Sequence, residues 1–561
     1  MQSLAYANVT TRTTEWNSIS WRKSMKIVRN LRQRIFRASQ DGNLKKVRSL
    51  QKLLLRSYSN VVMSVRRVCQ VNRGRNTAGV DKVLVKTPEA RGKLVDELRE
   101  YQPWRAKPAR RVYIPKANGK RRPLGIPTIR DRCLQSIVKN ALEPFWEAKF
   151  ERSSYGFRPG RSCQDAMVRI FGLARSTSKR KFIVDADIKG AFDNIAHMPL
   201  LEAIAGFPAR ELIKQWLKAG YVEEETFTPT EAGTPQGGVI SPLLANIALH
   251  GMEEALGIRY NKAGELISQR GLVRYADDFV VFCENEEDAQ AVISLLTEWL
   301  GARGLTLSLE KTSIRHITEG FDFLGFNVRQ YAMPHTTRTG WKVLIKPSRQ
   351  SVVKLKDKLR QEWLALRGHN PDAVIRRLNP VIRGWANYFR TGVSSKIFSD
   401  LDSWMFTRQV LYAKQRHRNK PWPWIRARYW GKFNPHSDSQ WVFGDCLSGH
   451  YLLRFGEVRI QRHIMVKGAS SPDDPTLKRY WQQRNARRAA DLPPKYQPLA
   501  HRHYNLCYHC GDSLFNGEEI HRHHLIPLED GGEDHFSNIV FVHLFCHQQI
   551  HARRSDSASS H

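Results

Sequence analysis

The stretch "LVRYADDFVVFC" (Leu272–Cys283) places two adjacent carboxylates, Asp277 and Asp278, within a run of apolar, β-prone residues. Val273, Tyr275, Phe279, Val280, Val281 and Phe282 predict a buried strand. An unpaired charge buried there would cost several kcal/mol, or its pKa would move until it neutralised. A cation held between several carboxylates removes that cost. Hard divalent ions such as Mg²⁺ take oxygen ligands, commonly one or two carboxylates plus substrate phosphates. A third carboxylate is therefore expected on a neighbouring strand. Asp187, which closes the strand in "FIVDADIKGAFDNI" (Phe182–Ile195), is the best candidate, and Asp185 shares its face.

The rest of the chain frames that site. At 561 residues it exceeds a single core, and roughly three to five modules are expected. Lys and Arg total 90 against 53 Asp and Glu, a formal net charge of +37, which points to a polyanion partner. A membrane surface is disfavoured, because no apolar run of about 18 residues occurs and no secretory leader pattern opens the chain. Eight scattered cysteines fit a reduced, intracellular protein, and only Cys507, Cys510 and Cys546 have suggestive spacing.

From Arg22 to Arg67 fourteen Lys/Arg face a single acid, Asp41. Val28, Leu31 and Ile35, then Val47, Leu50, Leu54 and Tyr58, predict two amphipathic helices broken near Asp41–Asn43, with a phosphate-facing outer surface. "RRVYIPKANGKRRPLGIPT" (Arg110–Thr128) predicts a basic hairpin turning at 117–120. After about Ile345 the period becomes helical. Val352, Leu355, Leu359, Trp363 and Leu366 form one stripe, Ile375, Leu378, Ile382 and Trp385 a second, and Ile397, Leu401, Trp404 and Leu411 a third. From Lys478 to Arg502 seven Lys/Arg accompany one acid.

Seven blocks carry a resemblance: "IPKANGKRRPLGIPTIRDR", "SYGFRPGRS", "DIKGAFD", "TPQGGVISPLLAN", "YADD", "GLTLSLEKT" and "GFDFLGFNV" occur in that order. Together they resemble the fingers and palm of reverse transcriptases, specifically those encoded by group II introns. The resemblance implies Asp187, Asp277 and Asp278 as ligands of two Mg²⁺ ions, and Lys116 and Arg122 as triphosphate contacts. It also implies that Phe192 excludes a 2′-OH, Gln236 touches the dNTP and Lys311 protonates the leaving pyrophosphate. Outside that context Phe192 reads as core and Lys311 as a solvated lysine. "LNPVIRGWANYFR" (Leu378–Arg390) resembles the family's thumb, or X, region; Trp385, Tyr388 and Phe389 read as core, and Arg383 and Arg390 as contacts for RNA phosphate.

"CYHC" (Cys507–Cys510) followed by "HLFC" (His543–Cys546) has structural-zinc spacing, so Cys507, Cys510, His543 and Cys546 are assigned to Zn²⁺. The remaining histidines exceed one tetrahedral ion. "HHLIP…GG…N…CHQQIH" resembles an HNH endonuclease. That implies His524 as general base, Asn538 as the residue orienting it, and His523, His547 and His551 around a catalytic divalent ion. The extra His521–Arg522 leaves the choice between His521 and His523 open.

The expectation is a multidomain α/β protein with right-hand fingers and palm, an α-helical thumb (the X or maturase region), a basic DNA-binding region and a small ββα-metal HNH domain with a zinc knuckle. Boundaries are placed at 1–105 (basic helical extension), 106–345, 346–413, 414–500 and 501–561. The resemblance implies intron RNA, target DNA and dNTPs as partners, no membrane, and a cytoplasmic setting, bacterial rather than organellar. Two alternatives remain: a maturase that only folds RNA on a residual polymerase fold, and a reverse transcriptase of another lineage such as a retron.

Overall fold

The computed structural model describes residues 13–100, 104–115, 119, 121–333, 339–492 and 496–558. Three N-terminal helices, Trp21–Gln40, Leu44–Leu55 and Tyr58–Arg66, and a fourth, Pro88–Arg99, precede the first strand. The first break falls at Asp41–Asn43, where Gly42 adopts φ 68° and the Asn43 side chain caps the next helix by accepting from Lys46 N at 3.0 Å. Tyr58 departs from the predicted stripe: the chain turns again at Arg56–Ser57, so Tyr58 opens a third helix and is exposed. Val28, Leu31, Ile35, Val47, Leu50 and Leu54 are buried against the Ile129–Glu147 helix and share one core with the sheet that follows.

β1 (Ala109–Pro115) and β2 (Arg121–Ile126) form an antiparallel hairpin with Pro115 opposite Arg121. β3 (Phe182–Asp187) leads into the central sheet, while β4 (Tyr221–Glu223) and β5 (Thr226–Thr228) extend the hairpin in the order β2-β1-β4-β5. β6 (Gly271–Tyr275), β7 (Asp278–Cys283) and β8 (Ser313–His316) complete the central antiparallel sheet, ordered β6-β7-β3-β8. Phe279, Val280, Val281 and Phe282 have no solvent exposure, and each contributes roughly 1.5–3 kcal/mol of burial.

β9 (Phe321–Phe323), β10 (Phe326–Ala332) and β11 (Trp341–Pro347) form a small sheet at the base of the helical thumb. The thumb helices are Arg349–Ala365, Pro371–Phe389 and Ser395–Arg416. Leu355, Leu359, Trp363, Ile375, Leu378, Ile382, Phe389 and Leu401 are buried, but Leu411 is 53% exposed. Phe398, Met405 and Tyr412 set the inward face of the third helix, so Leu411 lies off it. The expected boundaries at 345 and 413 fall inside β11 and this helix. Beyond it, Ile425, Tyr429, Trp430 and Phe443, the last two on β12 (Trp430–Gly431) and β13 (Val442–Phe443), join the thumb core.

Asp165 ties the 414–500 region back to the fingers. It caps the Cys163–Leu173 helix through Ser162, and its Oδ1 meets His463 Nε2 at 2.9 Å and accepts from Val466 N at 2.7 Å. Finally, β14 (Ile520–His524) and β15 (Ile539–His543) pair antiparallel and run into the Leu544–Ala558 helix, a ββα unit.

Candidate active sites

The opening stretch is a hairpin and not one continuous strand. β6 ends at Tyr275, Ala276 and Asp277 form the turn, and β7 starts at Asp278. A continuous strand would have sent the two acids to opposite faces. The turn instead brings both to one end of the sheet, with Asp277 half-buried and Asp278 exposed at the strand start. Ala276 holds φ 60°, a conformation unfavourable for a residue with a Cβ, so the surroundings must enforce it. Arg274, fully buried beneath the turn, donates to the Ala276 carbonyl at 3.2 Å and to Asn246 at 3.1 Å. Gly156 lies so close that a Cβ there would fall 2.3 Å from Ala276 N.

Asp187 stands directly across the ladder from Asp278. Desolvation and the Asp187 charge push the Asp277 carboxyl up; the same causes, with Asp277 added, push Asp278 up to about 6. Burial also pushes Asp185 up to about 6, with Asp322 and Asp187 adding and Arg315 opposing. The Lys311 ammonium is ion-paired with Asp187, a bond that raises its own pKa. A cation thus already sits against Asp187 Oδ2. Two carboxyls raised by burial and by neighbouring carboxylate charge, beside a third that is neutralised by an ammonium, form an acidic cluster whose oxygens are of the kind hard divalent ions take, with Lys311 as the competing cation.

On the basic hairpin, Arg122 Nε donates to Gln236 Oε1 at 2.9 Å, and Gln236 Nε2 donates to Asp193 Oδ2 at 3.0 Å. Phe192 is buried, edge-on to Phe157 with centroids 6.2 Å apart. Gly237 is required by close approach, since a Cβ would fall 2.4 Å from the Gly125 carbonyl oxygen. Lys116 lies outside the described residues.

At the C-terminus the ligand atoms of Cys507, Cys510, His543 and Cys546 all lie within 4.8 Å of one another, every residue buried. His543 Nε2 meets the Ser513 carbonyl at 3.1 Å, which turns Nδ1 toward the thiols, 3.5 Å from Cys510 Sγ. The soft, buried Cys3His set suits zinc. His523, His547 and His551 form the second such group among the described residues, with His547 and His551 Nε2 atoms 3.2 Å apart. His521 lies outside that group, its Nε2 being 3.4 Å from Glu519. His524 Nε2 bonds Asp534 Oδ1 at 2.9 Å. Asn538 pins the intervening loop: its Oδ1 accepts from Ile526 N at 2.8 Å and its Nδ2 donates to the carbonyls of Ile526 and Glu533.

Asp193 and Asp534 are absent from the sequence expectations. Asp534 is one of four acids, with Glu529, Asp530 and Glu533, in the loop between β14 and β15, and spacing alone does not single it out. Asp193 lies six residues past Asp187 on a short helix, with nothing local to link it to Gln236.

A polymerase palm, a helical thumb and a histidine-rich ββα-metal unit on one basic chain define a nucleic-acid enzyme with two separate sites. Residues 114–328 match the reverse transcriptase (RNA-dependent DNA polymerase) family and residues 16–98 the N-terminal domain of reverse transcriptase. Residues 352–430 match the group II intron maturase-specific domain and residues 507–553 the HNH endonuclease family. Protein YkfC of Escherichia coli is 36% identical over 304 residues, covering 46% of this chain and 77% of YkfC. The group II intron-encoded protein LtrA of Lactococcus lactis is 33% identical over 360 residues, 52% of this chain; the match spans 59% of LtrA's length. A 91 kDa protein in the cob intron of Schizosaccharomyces pombe is 29% identical over 356 residues, 50% of this chain and 43% of that protein. The chain belongs to the group II intron-encoded protein family, with reverse transcriptase, maturase and HNH endonuclease domains. No described helix is long and apolar enough to cross a membrane.

Proposed function

We propose that this protein copies its own intron RNA into DNA at a target site that it helps to nick, and assists the splicing of that RNA. The observation that carries this is the hairpin turn at Ala276–Asp277, which gathers Asp277 and Asp278 opposite Asp187, together with the second histidine site on the same chain. In the palm, Asp187, Asp277 and Asp278 would hold two Mg²⁺ ions. When bound, these ions stabilise the attacking and leaving oxygens of an in-line phosphoryl displacement. Arg122 and Lys116 hold the triphosphate, Gln236 contacts the nucleotide and Phe192 blocks a ribose 2′-OH. Lys311 leaves Asp187 and passes a proton to the departing pyrophosphate.

In the ββα unit His524 takes a proton from the attacking water, with Asp534 holding its ring and Asn538 fixing its loop. His523, His547 and His551 would hold the divalent ion that neutralises the developing phosphate charge. Cys507, Cys510, His543 and Cys546 would hold a structural zinc. Intron RNA and the target duplex meet the basic faces mainly through phosphates. Arg383 is exposed on the thumb, and the basic 478–502 segment would carry the DNA contacts. The setting is the bacterial cytoplasm.

Primer extension on poly(rA)/oligo(dT) with Mg²⁺ tests the polymerase half. Incorporation of dTMP is expected. None at any Mg²⁺ concentration, with splicing assistance retained, would leave a maturase that only binds RNA.

A further inference from the structure

Arg66 ends the third N-terminal helix and is 4% exposed. Its guanidinium crosses 480 positions of chain to reach the C-terminal module: Nη2 lies 3.1 Å from Cys546 Sγ and 3.4 Å from Glu518 Oε2. Trp21 flanks the guanidinium, with Cζ 4.7 Å from the ring centroid. Glu518, whose side chain is 5% exposed, extends its other oxygen to 3.8 Å from His543 Nδ1.

Charge explains why an arginine belongs there. Three thiolates and a neutral imidazole around a divalent cation leave one net negative charge, and Glu518 adds another in the same buried volume. Buried charges of one sign need a partner, and a guanidinium donating to a thiolate supplies it. Such outer bonds fix ligand orientation and strengthen metal binding.

The contact lies within a wider seam between the first and last parts of the chain. Gln549 Nε2 donates to the carbonyls of Asn17 at 2.8 Å and Ile19 at 3.1 Å, and Arg553 Nε donates to Asn17 at 2.6 Å. Arg22 reaches the carbonyl of Tyr508, between two of the cysteines, at 2.5 Å. Trp16, Trp21, Val61 and Val65 share one apolar core with Leu514, Ile539 and Val542.

We propose that Arg66 is the outer partner of the Cys3His cluster, so that the metal site is completed by the N-terminal helices and its loading locks the nuclease module onto the polymerase. Arg66 is a positioning residue: it acts on the metal through Cys546. This inference rests on the reading that the cluster holds zinc, which metal analysis of the purified full-length protein tests separately. About one zinc per chain supports that reading, and none sinks it.

The inference itself is tested by zinc transfer from the full-length protein to excess 4-(2-pyridylazo)resorcinol. Arg66→Met is expected to speed release roughly 10- to 100-fold. Arg66→Lys, which keeps the charge but loses the fork, should fall between. Release from a folded, zinc-loaded Arg66→Met protein at the wild-type rate would overturn the proposal. Should Arg66→Met fail to fold, hydrogen exchange on the wild-type protein decides. Stripping zinc should speed exchange in the peptide around Asn17–Trp21, and unchanged exchange there would equally overturn it.

Discussion

Lys311 and Asp187, 124 positions apart in the chain, are joined by an ion pair at the centre of the polymerase site. In the proposed two-metal site the lysine would be a reversible stand-in for metal. Lys311→Ala is expected to lower the Mg²⁺ concentration for half-maximal primer extension, because no ammonium competes for Asp187. It should also cut kcat by about 10²- to 10⁴-fold, the usual worth of a placed proton donor. A Mg²⁺ titration of steady-state dTMP incorporation reads both, and an unchanged kcat would remove Lys311 from proton transfer.

Asp277→Ala should abolish cDNA synthesis, by on the order of 10³-fold or more, since it removes several kcal/mol of charge stabilisation. Splicing assistance, assayed on the precursor RNA, should persist largely intact. Loss of both activities together would mean that the Ala276–Asp277 turn had misfolded and was not merely disarmed.

His524→Ala should eliminate nicking of a labelled duplex while primer extension stays at the wild-type level. Asp534→Asn, which preserves shape but weakens the bond to His524 Nε2, should slow nicking by a smaller factor. Nicking retained by His524→Ala would refute the base assignment.

Asp165 offers a pH-dependent reading of stability. Burial pushes its carboxyl up, but His463, Ser162 and Val466 outweigh that and hold it below its ordinary value. A depressed carboxyl stabilises the fold above its unfolded pKa of about 3.9, and the contribution fades as pH falls through the lower folded value. Asp165→Asn should therefore destabilise by about 3 kcal/mol near pH 7, judged by denaturant melts. The gap from wild type should narrow steadily below about pH 4. A gap constant with pH would show that the carboxyl's charge contributes nothing there.

Motif order and hydrophobic period made the palm, the thumb and the two C-terminal ligand groups legible, because each depends on residues near one another in the chain or on a strand pattern. Local pattern misled where tertiary packing decides. The Asp277–Asp278 run reads as one strand because its apolar neighbours are the inner faces of two. Leu411 keeps helical spacing with Leu401 and Trp404, yet neighbouring elements cover the face carrying Tyr412. Arg66 looked like part of a basic outer surface, as did Arg32, which is ion-paired with Glu143 at 2.9 Å and Asp473 at 2.6 Å. Charge counts along a segment do not reveal which cations turn inward, since the acids that receive them lie more than a hundred residues away.

The seam between Arg66 and Cys546 also sets an order of events during synthesis. Residue 66 leaves the ribosome long before residue 546, so the face bearing Trp16, Trp21, Val61 and Val65 must wait uncovered while the polymerase folds behind it. Chains that stop before Cys507 would keep that apolar face in water and Arg66 without Cys546. Truncation to isolate the polymerase should therefore yield an aggregation-prone product, since the nuclease module covers helices made some 480 residues before Cys546.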